Sequence, residues 1–167
     1  MIIDSRRSQI LWRGLSLAGV FAVALSAVAT AAFAGECPAN KVVAGGGGQK
    51  PGATMPKDVA DTVLGSIDLA MEPVAVQERL FRLRRLEIKP GGEVPWHSHA
   101  DRPALIYVVS GEVTEYASTC AVPIVHKAGE VAEEAHGISH WWKNTGQETA
   151  VLLSADILHD QADEHMM

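Results

Sequence analysis

"PWHSHADRPALIYVVSG", Pro95 to Gly111, sets two histidines one residue apart just ahead of an apolar run. In an extended chain residues i and i+2 share a face, so His97 and His99 point the same way. "ALIYVV" reads as a buried strand, and "SGE" as a tight turn into the next strand, "VTEYA". Two imidazoles on one face can chelate a single ion, and neutral histidine is the commonest protein metal ligand. H-x-H alone is a weak signal, because two surface histidines produce it equally well. What decides its meaning is whether a third ligand arrives from elsewhere in the chain.

A second stretch supplies one. In "GEVAEEAHGISHWWKN", Gly129 to Asn144, a glycine turn leads into a strand on which His140, Trp142 and Asn144 share one face and Trp141 and Lys143 the other. Between and around these two stretches lie further strand signals: "TVLGSIDLA", "VAVQERLFRL", "VPIVHKAGE" and "TAVLLSADIL". In "FRLRRLEI" the apolar phase shifts from Phe81 and Leu83 to Leu86 and Ile88, which predicts a β-bulge at Arg84-Arg85. Many short strands separated by Gly-rich turns predict an all-β fold, a sandwich or small barrel. If the two histidine stretches lie side by side there, three imidazoles meet at one interior point.

The two stretches together resemble the cupin family. Its first motif runs Gly, five residues, His-x-His, three or four residues, Glu, six residues, Gly, and Gly91, His97, His99 and Gly111 fall in register. Its second runs Gly, five residues, Pro-x-Gly, two residues, His, three residues, Asn, and Gly129, Gly137, His140 and Asn144 match. The resemblance covers roughly residues 75 to 155 and implies a small jelly-roll β-barrel with a metal held inside by His97, His99 and His140. Two positions depart from the pattern. Ala135 replaces the proline of the second motif, and Ala104 (or Pro103 at the shorter spacing) stands where the first motif has its glutamate. The resemblance therefore implies three ligands rather than four, with Ala104 and Trp142 as pocket residues.

Other residues offer roles in acid–base or substrate chemistry. Glu133 and Glu134 alternate, so one faces inward; a replacement for the missing carboxylate and a solvated rim are the two readings, the second favoured. His136, in the glycine turn, is a candidate proton carrier or a polar turn residue. Arg102 is a candidate receiver of an anionic substrate or an ion-pair partner of Asp101. His126 reads as a strand edge, and His159 and His165 as part of a polar tail.

The chain's ends carry no such chemistry. Arg6, Arg7 and Arg13 precede an apolar stretch from Leu15 to Phe33, and Ala32-Phe33-Ala34 is a small-x-small cleavage site. This predicts an export signal over residues 1–34, with Ser5-Arg6-Arg7 resembling a twin-arginine motif, cleavage after Ala34, and a periplasmic or secreted product with no membrane anchor left. Residues 35–60 read as a flexible Gly- and Pro-rich leader, 61–160 as the barrel domain and 161–167 as a polar tail. The 133 residues from Gly35 onward carry 11 basic and 19 acidic side chains, a net charge of −8 that argues against nucleic acid as a partner. Cys37 and Cys120 are the only cysteines, and in an oxidising compartment they are expected to pair.

Three histidines on a divalent ion leave coordination positions open, as catalysis requires, and keep the ion's full charge, which favours anionic or enolate-like ligands. The expectation is an exported metal-binding cupin, a dioxygenase-like oxidoreductase acting on a small organic substrate. Iron is the favoured ion, with manganese, nickel, copper and zinc also compatible. The alternatives are a non-catalytic cupin that binds a small ligand or a metal, and a metal-free acid–base cupin of epimerase type. Cupins often pair, so a homodimer is also expected.

Overall fold

The computed structural model describes residues 35–159, so the expected signal sequence and polar tail lie outside the described residues. Eight strands follow one another: β1 (Lys57–Asp68), β2 (Arg79–Ser98), β3 (Ala104–Ser110), β4 (Glu112–Ala117), β5 (Ile124–Lys127), β6 (Val131–Glu134), β7 (Ser139–Lys143) and β8 (Ala150–His159). A single 3-10 turn at Ala39–Lys41 is the only helical element among the described residues. The sheet order is β5-β4-β7-β2-β8-β3-β6, with β1 on β2, and it curls into a nearly closed jelly-roll barrel whose unpaired seam lies between β5 and β6.

Alternation builds the interior. Leu86, Ile88 and Val94 of β2, Ile106 and Val108 of β3, Val113 of β4 and Leu152 of β8 all point inward and form one apolar cluster. Each such side chain contributes roughly 1.5–3 kcal/mol on burial. The turn from β3 to β4 closes at Gly111, whose φ of +75° suits glycine, and a Cβ there would lie 2.9 Å from the Cα of Ala150.

The bulge expected at Arg84-Arg85 is not there. The β2–β8 ladder runs unbroken from Arg79↔His159 to Ile88↔Ala150, and the nearby irregularity falls in β1, between Val63 and Gly65. Strict alternation instead turns Phe81 and Leu83 outward, 43% and 39% exposed, and buries Arg82 and Arg84. The apolar phase misled because the inward residues here are charged and neutralise one another. Asp156 of β8 takes both nitrogens of an Arg82 fork and also meets Arg84, which in turn pairs with Asp61 of β1.

A bulge does exist ten residues further on. In the β2–β7 pairing the register shifts between Val94↔Trp142 and His97↔His140, so one extra residue is taken up around Pro95-Trp96. This re-aims the strand directly before the histidines, a common position for such a feature beside functional sites.

The stretch read as a flexible leader is docked. Val42 bridges Cys120, the Val43 amide donates to the Thr119 carbonyl, and the Trp96 amide donates to the Ala53 carbonyl. The Cys37–Cys120 disulfide closes a separation of 83 residues and fixes the start of this strap on the loop between β4 and β5. Its loop closure is worth about 4 kcal/mol on a chain-entropy estimate. Backbone hydrogen bonds, which composition does not show, make an apolar-poor segment into a strap.

Candidate metal centre

His97 and His140 are direct cross-strand partners on β2 and β7, and His99 follows just beyond the end of β2. The three rings converge. His97 Nε2 lies 3.0 Å from His99 Nε2 and 3.1 Å from His140 Nε2.

The other nitrogen of each ring fixes its tautomer. His97 Nδ1–H donates to the Pro95 carbonyl (2.9 Å), His99 Nδ1–H to the Arg102 carbonyl (2.6 Å), and His140 Nδ1 faces a carboxylate oxygen of Glu115 (2.8 Å). Carbonyls and carboxylates only accept, so Nδ1 of His97 and of His99 carries the proton and their Nε2 atoms present bare lone pairs. At His140 the shorter contact to Glu115 favours the same tautomer over the longer approach of the Trp142 Nε1–H donor, 3.1 Å from Nδ1 and 3.4 Å from Nε2. Lone pairs aimed at one another across 3.0 and 3.1 Å repel, and all three nitrogens lie within 4.8 Å of one another, close enough to share one ion. Burial lowers His97 to about 2 and His99 to about 3, with the neighbouring His140 adding to both, so both rings are neutral at physiological pH. Neutral rings are the form that binds a metal. The donor set therefore fits a divalent ion, which His97, His99 and His140 would hold through Nε2.

Glu115, which the sequence reading passed over, anchors this arrangement. It lies on β4 opposite Trp142 and is 3% exposed. One carboxylate oxygen takes His140 Nδ1–H and the other His126 Nε2–H, at 2.8 and 2.9 Å. Burial opposes its ionisation, but the hydrogen bonds from His126 and His140 win and hold its pKa at about 2. A carboxylate behind a ligand histidine raises the ring's basicity and fixes its orientation. Alternation of Val113, Glu115 and Ala117 on one face was the available signal.

His126, read as a strand edge, is fully buried and stacks on Trp142 at 4.7 Å. The run His126–Glu115–His140 links it to the centre. Trp142 faces inward as alternation required, with its Nε1 3.1 Å from His140 Nδ1 and the ring planes 77° apart.

Of the two adjacent glutamates, Glu134 faces inward and Glu133 is exposed. Glu134 is not a solvated rim residue: it is 1% exposed, with neither carboxylate oxygen in a hydrogen bond. Nor does it join the three Nε2 atoms, because it stands behind His140, with Oε2 3.2 Å from Nδ1. Burial and the charge of Glu115 raise its pKa well above the carboxylate range. Ala104 pairs across β3 with Glu134 on one side and Asp156 on the other, and it does not line the cavity at the histidines.

Arg102 is buried, so it is not a solvent-facing receiver at the barrel mouth, and Asp101 pairs with Arg79 instead. His136 is exposed in the left-handed turn before Gly137, at φ +56°, outside the cluster. The cavity at the three histidines is walled by Leu86, Val94, Ile106, Trp142 and Leu152 with Arg84 and Ser154, and its volume is about 20 Å³. That holds an ion or a water and little more.

Comparison with known proteins agrees with the architecture. Residues 84–156 match the family model described as Cupin domain. Nectarin-1 of Nicotiana langsdorffii x Nicotiana sanderae is 31% identical over 109 residues, covering 64% of this chain and 46% of that protein. Germin-like protein subfamily 2 member 2 of Arabidopsis thaliana is 36% identical over 76 residues, covering 44% of this chain and 35% of that protein. The chain thus spans less than half the length of these curated relatives. A crystal structure described as a predicted oxalate decarboxylase from Thermotoga maritima superposes with a TM-score of 0.51 at 22% identity, covering 74% of this chain and 98% of that one. These findings support a cupin family and show the cupin fold.

Proposed function

We propose that this chain is a metal-binding cupin, exported to the periplasm or beyond, whose three-histidine centre serves oxidative chemistry on a small organic substrate. The observation that carries the metal is the convergence of three Nε2 atoms whose partner nitrogens each face a carbonyl or carboxylate acceptor. A redox-active divalent ion, iron first, with manganese, nickel, copper or zinc as alternatives, would supply Lewis acidity and open coordination positions there. The protein's own part is to orient the rings: Glu115 holds His140, and the Pro95 and Arg102 carbonyls hold His97 and His99. Trp142 and the aliphatic walls keep the space to about the size of an ion or a single water.

That small space also favours a second reading. A cavity of about 20 Å³ admits only a ligand of a few atoms, which suits a non-catalytic metal or small-ligand cupin as well as an enzyme for a small substrate. Metal analysis of the purified protein, followed by oxygen uptake with phenolic, diketone, thiol and short carboxylate compounds, separates them. Metal without oxygen uptake favours the binding role, and no metal removes both.

Pairing with a second copy of the chain is part of the proposal. Phe81 and Leu83 of β2 and Leu105, Tyr107 and Val109 of β3 form an exposed outer face on either side of β8. Contiguous apolar surface of this kind marks association sites. Light scattering on the purified chain reads the mass, and a monomer at all concentrations ends that part.

A further inference from the structure

His140 has polar partners on both sides of its ring, and only one side belongs to the centre described above. Behind it, Glu115 Oε1 lies 2.8 Å and Glu134 Oε2 3.2 Å from Nδ1. One ligand atom from each of Glu115, Glu134 and His140 lies within 4.8 Å of the others. Glu134 is 1% exposed and neither of its oxygens has a hydrogen-bond partner, a costly condition for a buried carboxyl group. The front side can release His140 from its role there: with the proton on Nε2, the ring donates to His97 Nε2 at 3.1 Å, which is a free acceptor. Nδ1 is then a lone pair facing two carboxylates, and three acceptors converge beside one donor, the Trp142 Nε1–H 3.1 Å from Nδ1, which an ion would have to displace. An approach exists as well. A groove of about 540 Å³ along the seam of the barrel is lined by Glu115, Glu134 and His136 and bounded by the start of the strap at Gly35, Glu36 and Cys37.

We propose that Glu115, Glu134 and His140 Nδ1 form a second seat for a divalent cation, alternative to the three-nitrogen seat and exclusive of it because both use His140. The tautomer of one ring selects between them. With Nδ1 protonated, His140 completes three imidazoles, a set suited to borderline ions such as zinc. With Nε2 protonated, it completes a site of two carboxylates and one imidazole, suited to a harder ion such as manganese. The sharing of His140 rests on the metal centre proposed above, whereas the second seat stands on its own residues.

The experiment titrates Mn2+ and Zn2+ into the full chain and three variants, with circular dichroism and thermal melting on each. The His97→Ala, His99→Ala double variant should lose Zn2+ affinity by at least 100-fold yet keep one Mn2+ per chain. Adding Glu134→Gln to it should weaken Mn2+ by at least 10-fold. In the wild type, saturating Zn2+ should expel Mn2+, leaving one ion per chain. A folded double variant without Mn2+, indifference to Glu134→Gln, or two ions per chain at saturation each overturns the proposal. Pulsed electron paramagnetic resonance of wild type with Mn2+ alone covers the case of a double variant that does not fold: one coupled imidazole supports the seat, and three overturn it. A wild type that takes no Zn2+, beside a double variant that takes Mn2+, sinks the three-nitrogen centre and leaves the second seat standing.

Discussion

The two halves of β2 bury polar side chains in the same barrel with opposite results. In the first half, Arg82 and Arg84 lie against Asp156 and Asp61, and each charge meets an opposite one. In the second half, His97 and His99 meet His140 with lone pairs aimed at one another, and Glu134 stands behind it, 3.2 Å from Nδ1 and without a hydrogen bond. Buried polar groups that satisfy one another hold a structure; those that do not are waiting for a partner from outside. The strand is structural where its charges balance and chemical where its donors and acceptors do not.

Breaking the balanced half should give the largest effect. Asp156→Ala leaves Arg82 and Arg84 buried without their shared carboxylate, and removing one side of such a pair costs about 3–5 kcal/mol. Urea unfolding of the metal-free variant checks this. A loss under 1 kcal/mol would mean that water or Asp61 replaces the carboxylate, and the balanced half would not be structural in the sense argued.

The unbalanced half should respond more in metal affinity than in stability. His140→Ala removes a lone pair from the cluster but also a buried ring and a donor to Glu115, so the metal-free protein should lose about 1–3 kcal/mol, less than Asp156→Ala, while metal affinity falls at least 100-fold. Added metal shows the contrast in melting temperature. At 100 times its dissociation constant an ion stabilises the wild type by about 2.7 kcal/mol, and the variant should gain almost none. Equal gains in both proteins would place the ion elsewhere.

Glu115→Gln should have an intermediate effect. The amide keeps the shape but loses the carboxylate that accepts from His140 on one side and His126 on the other. Loss of such a support to a metal ligand typically costs 10–100-fold in affinity. Calorimetric titration with Zn2+ reads this directly, and an unchanged constant would make Glu115 a partner of His126 alone.

The contrast also explains what could be read from the sequence. Where alternation carried apolar or ligand residues, as at Ile106, His140 and Trp142, period two gave the correct face, and the glycines at 111, 129 and 137 located turns, whereas Gly91, in a stretch whose Pro and Gly residues read as a turn, lies inside the continuous strand β2. It failed at Phe81 to Ile88, because hydrophobicity was taken as the sign of the inside and the inside there is two arginines. Glu115 and His126 stayed hidden for another reason. Their roles come from β4 pairing with β7 on one side and β5 on the other, and no local pattern encodes which strands become neighbours. The docked strap was hidden similarly, since its hydrogen bonds run to backbone atoms some 70 residues away.

Ala104 gives the smallest expected effect and tests where the two halves meet. It stands on β3 between Asp156, a member of the balanced set, and Glu134, a member of the unbalanced one. A carboxylate at this position would be a third acid in that row, with only 6% of the site open to solvent. Ala104→Glu should therefore destabilise the metal-free protein at neutral pH by about 1–3 kcal/mol, from crowding as well as charge. Burial and two acidic neighbours would raise the new group's folded pKa above its unfolded value of about 4.3. A carboxyl group with a raised folded pKa is destabilising above it, so the loss should shrink as pH falls toward 4.3. Metal then decides which half claims the position. If the new carboxylate reaches the three-nitrogen ion, saturating metal should restore the lost stability at pH 7 and tighten binding. If it stays in the row with Glu134 and Asp156, the metal-induced gain should equal that of wild type, and the position belongs to the wall between the two halves and not to the centre.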